Sequence, residues 1–178
     1  LVVDINHDGW NDIITANMGS NDVSILFSDD SGSFGGPIPF NTALALGVLS
    51  YVSKNDSIAM FIGTHPESEN ISILEINTVS FASKSFTLPT QGPTEILFAK
   101  IDSISSHLHF VALEYDQTKS NISLVDYEQI AYARFVEKDV TPKLNSVILS
   151  AVTVNANNDS FPDLVFVLVV PRMPSFHT

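Results

Sequence analysis

The stretch that decides the fold is residues 4–14, which read Asp4-Ile5-Asn6-His7-Asp8-Gly9-Trp10-Asn11-Asp12-Ile13-Ile14. Side-chain oxygens stand at the first, third, fifth and ninth positions, on Asp4, Asn6, Asp8 and Asp12. Gly9 follows the third of them, where a tight loop requires a residue that tolerates positive φ. Oxygen ligands at short, alternating spacing suit Ca²⁺, and the backbone carbonyl of Trp10 fills position seven. We therefore predict a Ca²⁺ loop here.

The predicted loop differs from an EF-hand. An EF-hand requires a bidentate Glu at position twelve and flanking helices, whereas position twelve here is Thr15, inside a β-prone run. The alternative interpretation is a metal-free turn, since Asp, Asn and Gly favour turns by themselves. Three carboxylates and one amide so close together would repel one another without a cation, and this favours Ca²⁺.

Internal repeats organise the rest of the chain. The segment Asn21-Asp22-Val23-Ser24-Ile25-Leu26 recurs as Asn70-Ile71-Ser72-Ile73-Leu74 and as Asn121-Ile122-Ser123-Leu124-Val125. The copies start at residues 21, 70 and 121, a period close to the 40–50 residues or so that are typical of propeller blades. An apolar run of strand length precedes each later copy, at residues 44–52 and 96–101, and another begins at Val147. The spacing indicates one structural unit repeated along the chain.

A second version of the metal loop follows near the C-terminus. It offers Asn155, Asn157, Asp159 and Asp163, with Phe161 in the place of Trp10. Two carboxylates replace three, and Ser160 stands where the first loop has Gly9, so we predict a weaker Ca²⁺ site. The equivalent segments of the second and third units, residues 52–57 and 101–107, lack the ligand set and are predicted to be plain hairpin turns.

The order of these features resembles the FG-GAP/VCBS repeat, the blade unit of integrin-α-type β-propellers. The metal loop is followed by Thr15-Ala16-Asn17, then by residues 21–27, then by Gly32-Ser33-Phe34-Gly35-Gly36-Pro37. The match is close from Val2 to about Phe40, and the later units are degenerate. The resemblance implies four-stranded blades with Ca²⁺ bound between the first two strands of a blade.

The predicted fold is therefore all-β, a β-propeller fragment of about three and a half four-stranded blades. The blades are expected near residues 1–46, 47–92, 93–146 and 147–178, the first and last of them incomplete. Short β-prone runs broken by Gly, Pro, Asn, Asp and Ser agree with this fold class. Since propellers typically close with four to eight blades, we expect further blades of the same chain outside this sequence.

Composition excludes several classes of function. Twenty acidic residues against eight basic ones give a net charge of −12, which argues against nucleic acid or an anionic membrane as a partner. The absence of cysteine excludes thiol catalysis and disulfides. The longest apolar run, Leu164 to Val170, is too short to span a bilayer. No nucleophile elbow or phosphate-binding loop occurs, and we predict that the chain is not an enzyme.

Two weaker candidate sites have simpler explanations. His107 and His109 share one face of a predicted strand, but a paired-His metal site lacks carboxylates nearby in the sequence. Phe34, Phe81 and Tyr132 recur at spacings of 47 and 51 residues, close to the repeat period. Residues in equivalent positions of successive blades are expected to pack between sheets instead of binding carbohydrate. Trp10, which lies in the metal loop itself, is the one aromatic residue that we still consider as a contact for a bound ligand.

The sequence is compatible with two functions. The first is a non-enzymatic Ca²⁺-binding module for extracellular protein or glycan binding or adhesion. The second is a propeller or accessory domain of a secreted polysaccharide-active enzyme. An extracellular or cell-surface location follows from the family resemblance, and both functions rest on analogy of fold.

Overall fold

The computed structural model describes residues 1–42, 46–55, 57–65, 68–90, 92, 94–102, 104–116, 121–139, 147–154 and 163–169. This part of the chain is all-β, as predicted, and contains no helix. In particular, nothing in it has the length and apolar character of a membrane-spanning helix. The strands form three four-stranded antiparallel sheets and one two-stranded sheet.

Each sheet is a meander whose strands lie in chain order. Sheet 1 contains β1 Val2–Val3, β2 Asp12–Asn17, β3 Asp22–Leu26 and β4 Ile38–Asn41. Sheet 2 contains β5 Val48–Asn55, β6 Ile58–Thr64, β7 Asn70–Asn77 and β8 Ser83–Pro89. Sheet 3 contains β9 Thr94–Ile101, β10 Leu108–Asp116, β11 Asn121–Ala131 and β12 Arg134–Asp139. Sheet 4 contains β13 Val147–Val154 and β14 Asp163–Val169.

Sheet 2 is buried on both of its faces. Successive side chains of a strand point to opposite faces of the sheet, and in β6 the side chains on both faces are buried in a core. Ala59 and Phe61 belong to the hydrophobic cluster shared with sheet 1. Met60 and Ile62 belong to the cluster shared with sheet 3. The three sheets are therefore stacked face to face in chain order, with one core on each side of sheet 2.

The first strands of sheets 2, 3 and 4 lie next to one another, because β5 contacts β9 and β9 contacts β13. Further from these strands, aromatic rings fill the space between sheets. Phe81 contacts Phe27 of the preceding sheet at a centroid distance of 5.7 Å, and Tyr132 contacts Phe86 at 5.4 Å. Phe81 and Tyr132 thus each contact the preceding sheet, but their side chains are 45% and 59% exposed, so the prediction that they pack between sheets is confirmed only at the edges of the interfaces. Phe34 forms an isolated bridge with Ser28 and is 47% exposed, so its packing between sheets stays a prediction.

The predicted hairpin turn is confirmed for residues 101–107, whereas the turn in 52–57 is shorter than predicted. β5 continues to Asn55 and β6 begins at Ile58, so most of the segment 52–57 is strand. In the β9–β10 turn, the Asp102 carboxylate accepts hydrogen bonds from the backbone N–H groups of Ile104 and Ser105. These bonds and that of the Ser105 hydroxyl hold the pKa of Asp102 below its usual value, the backbone bond from Ser105 contributing most. Asp102 stabilises the turn.

Gly63 on β6 lies very close to the segment that precedes β5. A Cβ at Gly63 would lie 2.4 Å from Cδ2 of Leu46, whose side chain is fully buried. Gly63→Ala is therefore expected to lower the free energy of unfolding by about 1–3 kcal/mol, measured by urea denaturation. The matched control is Gly19→Ala, since a Cβ at Gly19 meets no atom within 4 Å. Equal stability of the two variants would contradict the packing.

Candidate metal loop

The first candidate loop connects β1 to β2, which pair with Val3 opposite Asp12. The loop is anchored in the protein by Ile5, whose side chain is buried in the core shared by sheets 1 and 2. Gly9 has a φ of 95°, which confirms the predicted need for a residue that tolerates positive φ. His7 also has a positive φ, of 58°, a feature that the sequence did not indicate. The loop is a tightly turned hairpin connection.

The structure brings three of the predicted ligands together. Oδ1 of Asp4 and Oδ1 of Asn6 each lie 3.1 Å from the same backbone nitrogen, that of Asp8. The Asn6 amide nitrogen donates to Oδ2 of Asp8 at 2.8 Å, and the Gly9 N–H donates to Oδ2 of Asp4 at 2.8 Å. The side chains of Asp4, Asn6 and Asp8 therefore converge on the same side of the loop.

Asp12 has a different environment from the other candidate ligands. Its side chain is fully buried, and each of its two carboxylate oxygens accepts a backbone hydrogen bond. Oδ2 accepts from Ile5 at 3.0 Å, and Oδ1 accepts from Ser28 at 2.9 Å, just beyond the end of β3. Asp12 thus ties the loop to the neighbouring strand connection. The sequence pattern predicts Asp12 only as a ligand, because nothing local in the sequence indicates a bond to Ser28.

Trp10 contributes to the loop through its backbone. Its N–H donates to Oδ1 of Asp8 at 2.9 Å, while its ring is 46% exposed. The predicted ligand is the Trp10 carbonyl, and its role as a ligand stays a prediction. The ring is thus an exposed apolar surface within the loop.

The donors of the loop fit a hard cation. A carboxylate oxygen has two lone pairs, so one backbone hydrogen bond to each oxygen of Asp4 leaves a lone pair on each. Among the described residues, however, no three His, Asp or Glu side chains already surround one point closely enough to hold an ion. The bonds from the backbone to Asn6 and Asp8 are those of Asx turns, which form with or without a metal. The geometry is compatible with both interpretations of the loop.

A second acidic turn lies beside the first loop. Asp29, in the connection between β3 and β4, accepts hydrogen bonds from the hydroxyl of Ser31 and from the backbone of Ser33. The Ser31 hydroxyl is the main cause of the lowered pKa of Asp29. Since Asp12 bonds to Ser28, immediately before Asp29, the two turns are held together. Asp29 already has local donors and serves to shape its own turn.

The weaker candidate loop lies largely outside the described residues. Asn155, Asn157, Asp159 and Phe161 are among the residues that the structure does not describe. Asp163 begins β14, where it pairs with Val154, but its side chain is not described either. Ca²⁺ binding at this loop stays a prediction.

Comparison with known proteins gives no relative from which a role can be transferred. No protein-family model matches the chain, and the searches of curated proteins and of solved structures found no match. The metal preference of the first loop therefore follows from the oxygen atoms that the loop itself offers as ligands. These are carboxylate, amide and carbonyl oxygens, which bind hard cations such as Ca²⁺.

Proposed function

We propose that this chain is a non-enzymatic Ca²⁺-binding β-propeller module of the FG-GAP/VCBS type, which binds a protein or glycan outside the cell. The observation that carries the proposal is the convergence of the Asp4, Asn6 and Asp8 side chains in a loop that Asp12 clamps to sheet 1. Ca²⁺ would be held by these four residues and the Trp10 carbonyl. The extracellular location follows from the family resemblance.

The stacking of the sheets supports a propeller. Propeller blades are four-stranded sheets arranged radially around a central channel, so each blade packs against the next. Sheets 1, 2 and 3 have four strands each, and they pack face to face in chain order. In sheets 2, 3 and 4 the first strands lie side by side, because β5 contacts β9 and β9 contacts β13. This is the arrangement expected of strands that line a common axis.

The proposed role of Ca²⁺ is to make the loop rigid. Asp4 and Asp8 place two negative charges in a short, largely exposed connection, and a divalent cation would offset their repulsion. Because the ion binds the folded loop, it stabilises the folded state by about 2.7 kcal/mol when its free concentration is 100 times the Kd. A rigid loop would also hold the exposed Trp10 ring in one position, which favours binding of a partner at that surface.

The Ca²⁺ site is tested by calorimetry on the full chain. We expect Ca²⁺ to give binding heat that Asp8→Ala abolishes, since Asp8 is exposed and central to the hydrogen-bonded loop. The matched control is Asp30→Ala, which removes one exposed carboxylate outside the loop. Asp30→Ala should leave the heat unchanged. Unchanged heat in Asp8→Ala, or an equal loss in both variants, would contradict the site.

A further inference from the structure

A polar cleft lies at the turn between β9 and β10, away from the first loop. Its volume is 260 Å³, and its lining includes Lys100, Asp102, Ser105, His107, His109 and Glu128. Leu108 and Phe110 on β10 face sheet 2, so His109, between them, lies on the opposite face of sheet 3. The corresponding face of sheet 2 carries Met60 and Ile62, which are buried core residues. On the face where sheet 2 has buried apolar side chains, sheet 3 therefore has side chains of types that can bind a metal.

His109 is held in place by two contacts. Its Nε2 lies 2.5 Å from Oδ1 of Asp126, a residue 17 positions away on β11. Its ring also meets the ring of Phe98 edge-on, at a centroid distance of 6.5 Å. With a proton on Nε2 directed at Asp126, the neutral ring has its lone pair on Nδ1. Histidine ligands of metals are typically oriented by such a carboxylate, which fixes the tautomer and makes the ligand more basic.

Two further donors lie on the same side of the sheet. Glu128 is directly opposite His109 in the pairing of β10 with β11, where Cβ atoms are about 4.5–5.5 Å apart. His107 precedes His109 by two residues, and its carbonyl accepts a hydrogen bond from the Asp102 N–H at 2.8 Å. This bond extends the β9–β10 ladder by one residue. Both histidines and Glu128 line the cleft. No carboxylate lies close to the two histidines in the sequence. In the fold, β11 supplies carboxylates beside them.

We propose that this cleft is a second metal site, which binds a borderline divalent cation such as Zn²⁺ through His107, His109 and Glu128. Two imidazoles and one carboxylate form a donor set of open zinc sites, unlike the all-oxygen set of the first loop. Asp126 is a positioning residue that orients His109. Among the residues that the structure describes, no three such groups surround one point, so binding requires His107 and Glu128 to turn toward His109. Glu128 is exposed and His107 partly exposed, which allows this movement.

The test is calorimetry of the full chain with ZnCl₂ in buffer containing excess Ca²⁺, which occupies the proposed Ca²⁺ loop. Binding is expected in the wild type, with at least a tenfold loss in His109→Ala. Asp126→Asn is expected to weaken binding by about 10–100-fold, as for other residues that orient a ligand. The control is His7→Ala, an exposed histidine outside the cleft, which should leave Zn²⁺ binding unchanged.

A second measurement does not depend on the folding of any variant. In the NMR spectrum of the wild type, Zn²⁺ is expected to shift the imidazole signals of His107 and His109 and to leave that of His7 in place. Absence of Zn²⁺ binding overturns the proposal. Binding that persists in His109→Ala, or imidazole shifts confined to other histidines, also overturns it. Failure of either Zn²⁺ test leaves the Ca²⁺ loop unaffected, because the two sites share no residue.

Discussion

Phe61→Ala is expected to lower the free energy of unfolding by about 3–5 kcal/mol, as for other fully buried aromatic residues. Phe61 is fully buried, and it belongs to the core that joins sheet 2 to Ile14 and Ile25 of sheet 1. Its ring also contacts Tyr51 at a centroid distance of 5.6 Å. Loss of the ring would leave a cavity between two sheets, so the loss of stability includes packing contacts from both sheets. Urea denaturation measures the effect.

The matched control for Phe61 is Phe34→Ala, because Phe34 is 47% exposed. Exposed substitutions away from the core usually change stability by no more than about 0.5 kcal/mol. A cost for Phe61→Ala as small as that for Phe34→Ala would show that sheets 1 and 2 do not share a core. The stacked arrangement of the sheets, and with it the propeller, would then be wrong.

Asp12→Ala is expected to destabilise the protein by about 2–5 kcal/mol even when Ca²⁺ is removed with a chelator. The substitution leaves two backbone donors, the N–H groups of Ile5 and Ser28, without the carboxylate that now accepts from them. Asp12 is fully buried, so water replaces these bonds poorly. Thermal and urea denaturation in chelator measure the loss.

Asp8→Ala distinguishes the structural role of Asp12 from the proposed binding of Ca²⁺. Asp8 is exposed, so its removal should change stability little in chelator and should cost stability only in Ca²⁺. Asp12→Ala should be destabilised in both conditions. If the two variants behave alike in chelator, Asp12 does not act as a structural clamp. If neither variant responds to Ca²⁺, the stabilising role proposed for the ion is wrong.

The features that could be predicted from the sequence are those specified by neighbouring residues. Gly9 has the positive φ expected of it, and the 101–107 segment forms its turn because Asp102 bonds to residues two and three positions away. The repeat period also reflects local information, since each unit carries its own strand and turn signals. All-β structure follows from these signals without any knowledge of the pairing.

The features that could not be predicted depend on which strands become neighbours. Asp12 bonds to Ser28, 16 residues away, and His109 to Asp126, 17 residues away, so both contacts exist only once β2–β3 and β10–β11 have paired. Buried Glu114 is a similar case. Alternation places it on the face of Phe110, but only the fold brings it the hydroxyl of Tyr127 as a donor.

Tyr127 shows how this pairing sets the chemistry of a buried group. Burial, the hydrogen bond to Glu114 and the charge of that carboxylate together raise the pKa of Tyr127 above its ordinary value, with burial the largest cause. The Tyr127 hydroxyl gives the buried Glu114 carboxylate a hydrogen-bond donor within the core. A buried acid with such a donor is a structural element of sheet 3.

The most direct test of the Ca²⁺ loop uses its own tryptophan, Trp10, which is the only one in the chain. Tb³⁺ takes the oxygen ligands that Ca²⁺ takes, and it emits when a nearby excited indole transfers energy to it. With selective excitation of tryptophan, we expect Tb³⁺ emission that excess Ca²⁺ reverses and that Asp8→Ala abolishes. Trp10→Phe should remove the emission and keep the heat of Ca²⁺ binding. Absence of sensitised emission from the wild type, or emission that Ca²⁺ does not reverse, would contradict a Ca²⁺ site in this loop.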